Sequence, residues 1–164
     1  MSGLTNNYVQ RLMYKISPNP QNFHGVLPCD QFLNLMSKSQ GHWKCGDCFI
    51  LNLSASGHRG SHFVAVYLTS KSTAEYFDSY ALSHSIDNNL KQAFDIAGLQ
   101  IQESTKRIQG DASQFCGFYC VTFLLYRQVD LPAKSFEDAF SSVKLIQNDS
   151  IVVELLKKFI EESH

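Results

Sequence analysis

Residues 109–126 read QGDASQFCGFYCVTFLLY, and this stretch decides the fold. From Phe118 to Tyr126 almost every side chain is apolar, and no charge occurs before Arg127. A helix that is apolar all round must run through a hydrophobic core, so the stretch predicts a buried central helix. The Gly, Asp, Ala, Ser and Gln residues before it are typical of an irregular loop, which puts Cys116 in the first turn of the helix.

Cys116 has the setting of a reactive thiol. The first turn of a helix carries unpaired N–H groups and the positive end of the helix dipole, which favour a thiolate, and the thiolate is the nucleophilic form. We expect Gly117 to keep the space beside the sulfur open for a substrate carbonyl. The alternative is that Cys116 is one more buried cysteine, because free cysteine is among the residue types most often buried.

Composition limits the class of protein. The 164 residues, 44% hydrophobic and 12% aromatic, suffice for one core, so we expect a single domain over residues 1–164 and a monomer. No apolar run approaches the roughly 18 to 20 residues that cross a bilayer, and no secretion signal is visible, which predicts an intracellular protein without a membrane partner. A formal charge of −1 argues against nucleic-acid binding through bulk electrostatics and leaves only a local patch open. Five cysteines in an intracellular chain favour free thiols over disulfides.

Apolar spacing divides the rest of the chain into elements. Helices are expected at 4–16 with Thr5 as its cap, from Asp30 to before Gly41, from Ser85 to Gly98, and at 135–143 and 149–160. Strands are expected at 47–53, 62–68, 73–78 and 101–108, and residues 23–26 as a turn or a short extended piece. The short connection between the second and third strands predicts an antiparallel hairpin. This order is typical of an α+β domain.

Three further residues can complete the machinery of a catalytic thiolate. Such a thiolate works with an imidazole, a group that holds the imidazole, and a donor for the oxyanion. His62 opens one strand of the hairpin and Asp78 closes the other, and the start of one strand lies beside the end of its partner. Gln109 lies seven residues before Cys116, and a loop of that length can aim its amide at the oxyanion.

In this order the residues resemble the adenain family, the adenovirus maturation proteases, and the related SUMO and ubiquitin-like-protein proteases. The matching motifs are His62-Phe63, Tyr76-Phe77-Asp78, Gln109-Gly110 and Cys116-Gly-Phe-Tyr-Cys120. The gap of seven and Asn52 followed by Gly57 and Gly60 look like adenain, whereas SUMO proteases typically have a gap of six. Most relatives have Trp where this chain has Phe63, which we expect to pack on the imidazole, and adenain has Glu where this chain has Asp78.

The resemblance implies a mixed sheet packed against the central helix and a thiol protease in which Cys116 attacks, His62 moves the proton, Asp78 orients His62 and Gln109 stabilises the oxyanion. It implies Gly-Gly or Gly-x cleavage sites in the structural precursors of a virus or virus-like element, hence virion maturation, in host cytoplasm, nucleus or virion. It implies no cofactor. The interval from the acid to the glutamine and the C-terminal end are shorter than in adenain, and an activating peptide or nucleic acid stays open.

Other readings remain. One enzymatic alternative is a protease that removes ubiquitin or SUMO-like proteins from their targets. A non-enzymatic alternative is an inactive protein-binding module on the same fold. Cys45 and Cys48 with His42 have the spacing of half a zinc site, which Cys29 or the pair Cys116 and Cys120 would have to complete. Cys120 is more simply a small core residue, and Trp43 either covers the cleft or anchors the core.

Overall fold

The computed structural model describes residues 4–39, 41–53, 62–82 and 85–163. In this part of the chain the helices are α1 (Asn6–Ile16), α2 (Cys29–Lys38), α3 (Asn88–Ala97), α4 (Cys116–Gln128), α5 (Ala133–Glu137) and α6 (Leu145–Glu162). The strands are β1 (Phe23–Pro28), β2 (Cys48–Asn52), β3 (Phe63–Leu68), β4 (Thr73–Phe77) and β5 (Gln100–Glu103), and Pro20–Asn22 forms one 3-10 turn before β1.

The strands form one mixed sheet in the order β1-β2-β3-β4-β5. The three central strands are antiparallel, while each edge strand runs parallel to its neighbour. The predicted α+β class, the mixed sheet and the β3–β4 hairpin are therefore confirmed. The sequence predicted only a turn or a short extended piece at residues 23–26. The structure has the full strand β1 there, paired in parallel with β2.

Successive side chains along each strand point to opposite faces of the sheet, so the core has two layers. On β3, Phe63, Ala65 and Tyr67 face α1, α4, α5 and α6, and the intervening Val64, Val66 and Leu68 face α2 and α3. Successive side chains of a strand point to opposite faces, so a fully apolar strand such as β3 is buried on both. The sheet is thus covered by helices on both sides.

The predicted central helix is confirmed, and it begins at Cys116. Its residues from Tyr119 to Leu125 are all buried, as an apolar helix between the sheet and α6 must be. Phe77 of β4 stacks on Phe123 at 4.6 Å between ring centroids, which ties α4 directly to the sheet. The start of α4 is therefore held at a fixed place relative to the ends of β3 and β4.

Of the four residues Thr5, Asp30, Ser85 and Gly98, which the sequence predicted as helix caps or ends, two are confirmed. The Thr5 hydroxyl accepts a hydrogen bond from the Tyr8 N–H at 3.2 Å, and Gly98 ends α3 in the left-handed conformation at φ 70°. The expected caps Asp30 and Ser85 are wrong. Asp30 lies inside the first turn of α2, after Pro28, and Asp87 caps α3 instead by accepting from the Leu90 N–H at 2.9 Å.

Two expected elements are shorter than predicted. The fifth strand ends at Glu103, because the backbone of Ile108 and Gln109 then turns back to bond the Ser79 carbonyl. The helix expected at 135–143 is only α5, Ala133–Glu137. Among the described helices, none has the length and apolar character needed to span a lipid bilayer.

Candidate active site

His62 and Asp78 meet at one end of the β3–β4 hairpin. His62 directly precedes β3 and Asp78 directly follows β4, so antiparallel pairing brings them together. The His62 Nε2 lies 2.6 Å from Asp78 Oδ1, and the two side chains are 10% and 2% exposed. The Asp78 carboxylate also accepts from the backbone N–H groups of Tyr80 at 2.9 Å and Leu82 at 3.2 Å. These bonds hold the carboxylate in the orientation in which it contacts the imidazole.

Electrostatics favour an ionised pair. Burial acts to raise the pKa of Asp78, but the hydrogen bond and charge of His62 and the two backbone N–H groups outweigh it and lower the pKa. Burial acts to lower the pKa of His62, but its hydrogen bond to Asp78 and its electrostatic interactions with Asp78 and the Cys116 sulfur outweigh burial and raise the pKa to about 9. The ring is therefore held in its protonated form over the neutral pH range.

Cys116, at the start of α4, is the third residue that lies with His62 and Asp78. It is the first residue of the helix and 8% exposed, and its sulfur is close enough to His62 to stabilise the protonated ring. The His62 Nδ1 is buried and has no hydrogen-bond partner within the described part of the chain, so its coupling to the thiol is electrostatic in this state. The structure thus brings His62, Asp78 and Cys116 together, with one ring nitrogen on the carboxylate and the other available to the thiol.

Tyr80 is the site residue that sequence reasoning missed. Its ring lies against the His62 imidazole at 4.8 Å between centroids, and its hydroxyl donates to the Ser113 carbonyl at 3.2 Å. The Arg107 guanidinium lies over the same ring at 5.6 Å. Phe63 was expected to pack on the imidazole and does not: it lies in the core beneath α4. The missed signal was an aromatic residue in the turn that follows Asp78.

Gly117 does not have the expected role. A Cβ atom at this position would lie 2.9 Å from Leu4 Cδ1 and 2.9 Å from Val9 Cγ2. The missing side chain therefore lets α1 pack closely on the start of α4, and the space is filled by α1 rather than left for a substrate. The glycine is needed for packing, not for access.

The Gln109 amide lies beside the nucleophile's loop and is fully buried. Its Oε1 accepts from the Ser79 hydroxyl at 2.5 Å, and its Nε2 donates to the Ser113 carbonyl at 3.1 Å and hydroxyl at 3.0 Å. In this state the amide hydrogens are directed at Ser113. Donation to an oxyanion therefore requires one of these two bonds to be exchanged.

The zinc alternative has no support in the geometry. Within residues 4–39, 41–53, 62–82 and 85–163, no group of three His, Cys, Asp or Glu side chains is placed to hold a metal. All five cysteines, which lie in that part of the chain, are free, and Cys120 is a buried core residue as expected. Trp43 packs on Phe49 with the α2–α3 layer, so it anchors the core and does not cover the cleft.

Asn52 donates its side-chain amide to the Asn6 side chain at 2.9 Å, joining β2 to α1. Gly57 and Gly60, which the sequence singled out in the approach to His62, lie outside the described residues.

Comparisons with known proteins bear on the fold. No protein-family model matches the chain, and no curated protein matches it in sequence. Among solved structures, the chain is similar to the central domain of the uncharacterised Lpg1148 protein from Legionella pneumophila, with 14% identity, a TM-score of 0.55 and coverage of 99% of this chain and 97% of that one. It is also similar to a deletion variant of AvrA with IP6 and CoA, with 13% identity, a TM-score of 0.57 and coverage of 94% and 68%. The chain therefore shares its α+β fold with these two proteins.

Proposed function

We propose that this chain is a cysteine endopeptidase of the adenain type. The supporting observation is the meeting of His62, Asp78 and Cys116, with the imidazole held at 2.6 Å by a carboxylate and electrostatically coupled to a thiol at a helix start. A nucleophile next to a base that is oriented by a third group is the arrangement that covalent acyl chemistry needs. The three residues come from separate segments, so their convergence is a property of the fold.

The reaction begins when the Cys116 sulfur, its proton held on His62, attacks the scissile carbonyl carbon. The carbonyl oxygen takes the negative charge and is stabilised by the Cys116 backbone N–H and by Gln109 once its amide is released from Ser113. The C–N bond then breaks, and the His62 imidazolium gives its proton to the departing amine. A water molecule, deprotonated by His62, attacks the acyl carbon of the thioester. The C–S bond then breaks, which releases the acid and restores the Cys116 thiolate beside the protonated His62.

By resemblance, the substrates are proteins with Gly-Gly or Gly-x cleavage sites in structural precursors of a virus or virus-like element. The low exposure of Cys116, 8%, supports a preference for residues without bulky side chains at the cleavage site. The proposal includes action as a monomer, without a cofactor, in the host cytoplasm or nucleus or in the virion. Stimulation by a peptide or nucleic acid is a further part of it.

Reporter peptides test the activity. Short Gly-Gly peptides with a fluorogenic amine should be cleaved by the wild type, and Cys116→Ala should lower kcat/KM by at least about 10³-fold, because nothing else in the site forms the acyl-enzyme. Cys45→Ser is the matched control, since Cys45 is an exposed free thiol. Equal turnover by Cys116→Ala and the wild type would end the proposal.

The deconjugase alternative is tested in the same assay. Ubiquitin and SUMO carrying the same fluorogenic amine are offered beside the short peptides. Turnover of the folded modifiers alone would replace endopeptidase activity by deconjugation. Absence of all turnover, together with Cys116 alkylation by iodoacetamide no faster than that of Cys45, would favour the inactive binding module.

A second candidate activity is acyl transfer from a thioester. It is favoured by the likeness to AvrA, whose structure contains CoA, an acyl carrier. The same thiolate could take an acetyl group from acetyl-CoA and pass it to a lysine amine in place of water. Incubation with acetyl-CoA and lysine-containing peptides, followed by mass spectrometry, separates the two activities: acetylated peptide without cleavage would select transfer over hydrolysis.

A further inference from the structure

The loop that leads to Cys116 is tied to α6 by hydrogen bonds that end on a carboxylate. The Ser113 hydroxyl donates to Asp149 Oδ1 at 2.8 Å, and the Tyr119 hydroxyl donates to the same oxygen at 2.8 Å. The Ser113 Oγ in turn accepts from Gln109 Nε2 at 3.0 Å and from the Phe115 backbone N–H at 3.2 Å. Ser113 is thus the shared partner of the glutamine amide, the entry to α4 and the α6 carboxylate.

The Ser113 backbone carbonyl and the Asp149 carboxylate together set the direction of the bonds in this group. A backbone carbonyl and an ionised carboxylate can only accept, and a serine hydroxyl has one hydrogen to give. Once Ser113 donates to Asp149, its hydroxyl oxygen is left as an acceptor beside its own carbonyl, so Gln109 turns its nitrogen towards Ser113. The Gln109 oxygen then faces Ser79, which donates to it at 2.5 Å. Reversing the amide would place its oxygen against two acceptors on Ser113 and would leave the buried Ser79 hydrogen without an acceptor.

We propose that Asp149 and Ser113 are positioning residues that fix the orientation of the Gln109 amide. This inference deepens the proposed function, on which its catalytic meaning rests. Only the nitrogen end of the amide can stabilise an oxyanion, because the oxygen end would repel it. By keeping the Ser113 hydroxyl oxygen an acceptor, a side chain on α6 therefore helps to hold the nitrogen end of the amide on the Cys116 side, from which one Ser113 bond must be exchanged to reach the oxyanion.

Two neighbouring observations support the role of α6. Asn148, next to Asp149, donates to the Ile108 carbonyl at 2.7 Å, so α6 holds both the entry and the middle of the loop that carries Gln109. Burial and the hydrogen bond to Asp149 raise the pKa of Tyr119, which keeps its hydroxyl a donor to the carboxylate. Tyr119 thereby fixes the second bond of Asp149 without contacting Ser113 or Gln109.

NMR tests the inference without any substrate. In the wild type the Gln109 side-chain amide hydrogens should exchange slowly with water, because they are buried and bonded to Ser113. We expect Asp149→Ala and Ser113→Ala to speed that exchange by at least about tenfold, which corresponds to the loss of roughly one hydrogen bond. Tyr119→Phe removes the other donor to Asp149 and should leave the Gln109 signals unchanged. Ser113→Thr keeps the hydroxyl and should preserve them as well.

Turnover of the Gly-Gly reporter gives the kinetic counterpart. Asp149→Ala should lower kcat by about 10- to 100-fold with KM within about threefold, since the bond matters only when the oxyanion forms. Circular dichroism melting of each variant separates this from unfolding, and if Asp149→Ala does not fold, the Ser113→Ala and Ser113→Thr pair carries the comparison.

The two proposals fail differently. Gln109 signals that do not change in Asp149→Ala and Ser113→Ala would overturn the positioning role, whatever the turnover. A wild type that cleaves nothing, with the expected Gln109 response intact, would remove the protease proposal and leave the hydrogen-bond order standing.

Discussion

Within the described residues, two histidine–aspartate pairs lie at the sheet. They differ in the groups that contact each imidazole besides its aspartate. His62 and Asp78 lie at the end of the hairpin, 2.6 Å apart and almost fully buried. His24 of β1 and Asp47, just before β2, are 2.9 Å apart, with the histidine side chain 32% exposed. Judged by the distance alone, the two pairs would be given the same role.

Their surroundings separate them. The His62 ring is coupled to the Cys116 thiol, whereas the described ring contacts of His24 are with Trp43 and Phe49, each at 5.2 Å between centroids. The second oxygen of Asp47 accepts from the Lys44 backbone N–H at 2.8 Å and so closes a turn. The His24–Asp47 bond therefore supports local structure. Under the proposed function, the thiol beside the His62 ring gives the other pair a role in the reaction.

Removal of the imidazole should have the largest effect. We expect His62→Ala to lower kcat/KM on the Gly-Gly reporter by about 10³-fold, because general acid–base catalysis contributes about 10²- to 10⁴-fold and the thiolate loses its counter-charge. Initial rates of fluorogenic peptide cleavage measure it. His24→Ala is the matched control and should stay within about twofold of the wild type. Comparable losses in the two variants would erase the distinction between the pairs.

The pH dependence of turnover should show the next largest effect. The pKa of His62 in the folded protein, about 9, lies above the ordinary histidine value of 6.5. The proton therefore stabilises the folded state fully below about pH 6.5, and this stabilisation is lost as the pH rises through about 9. The proton is also the one given to the leaving amine, so kcat/KM should fall about tenfold per pH unit above pH 9. Reporter cleavage across a pH series measures the descending limb.

Asp78→Asn should move that limb to lower pH, because it removes the carboxylate charge that raises the His62 pKa. Alkylation of Cys116 by iodoacetamide needs no proton donor and should not decline above pH 9. A limb that stays in place in Asp78→Asn would contradict the assignment of the proton to His62. Asp47→Asn, the matched change in the other pair, should leave the limb unchanged.

The smallest effect should come from the second pair and appear in stability. Asp47→Ala removes acceptors for His24 and the Lys44 N–H, so we expect the free energy of unfolding to fall by about 1 to 3 kcal/mol. Urea denaturation monitored by fluorescence measures it. Reporter turnover by the folded variant should match the wild type; a large drop in kcat would mean that the β1 pair also serves the chemistry.

Local sequence signals predicted the helix that carries Cys116 and the hairpin that joins His62 to Asp78. Both depend on short-range patterns, namely an unbroken apolar run and two strands with a short connection. The parallel attachment of β1 was not predictable in this way, because parallel pairing joins segments distant in sequence and leaves no turn signature. Boundaries failed where several capping residues compete, as with Ser85 and Asp87.

The sequence predicted which residues form the candidate site and that His62 lies beside Asp78. It did not predict the other contacts of these residues. Tyr80 was missed because its place against the imidazole depends on the turn after Asp78, in which Ala81 adopts a positive φ of 51°. The function of Gly117 was misjudged because the neighbour that fills its space, α1, is more than a hundred residues away in sequence. The anchoring of Gln109 through Ser113 was not predicted either, because Asp149 lies on another helix, 36 residues beyond Ser113.

The close contact of Leu4 and Val9 with Gly117 offers a route to inhibitors. A small molecule wedged between the first helix and the start of α4 would tilt the thiol away from its imidazole without entering the cleft. Such a compound would not have to react with the thiol, and its inhibition would not be competitive with substrate. Its binding site would be the apolar contact that Leu4 and Val9 make with the start of α4.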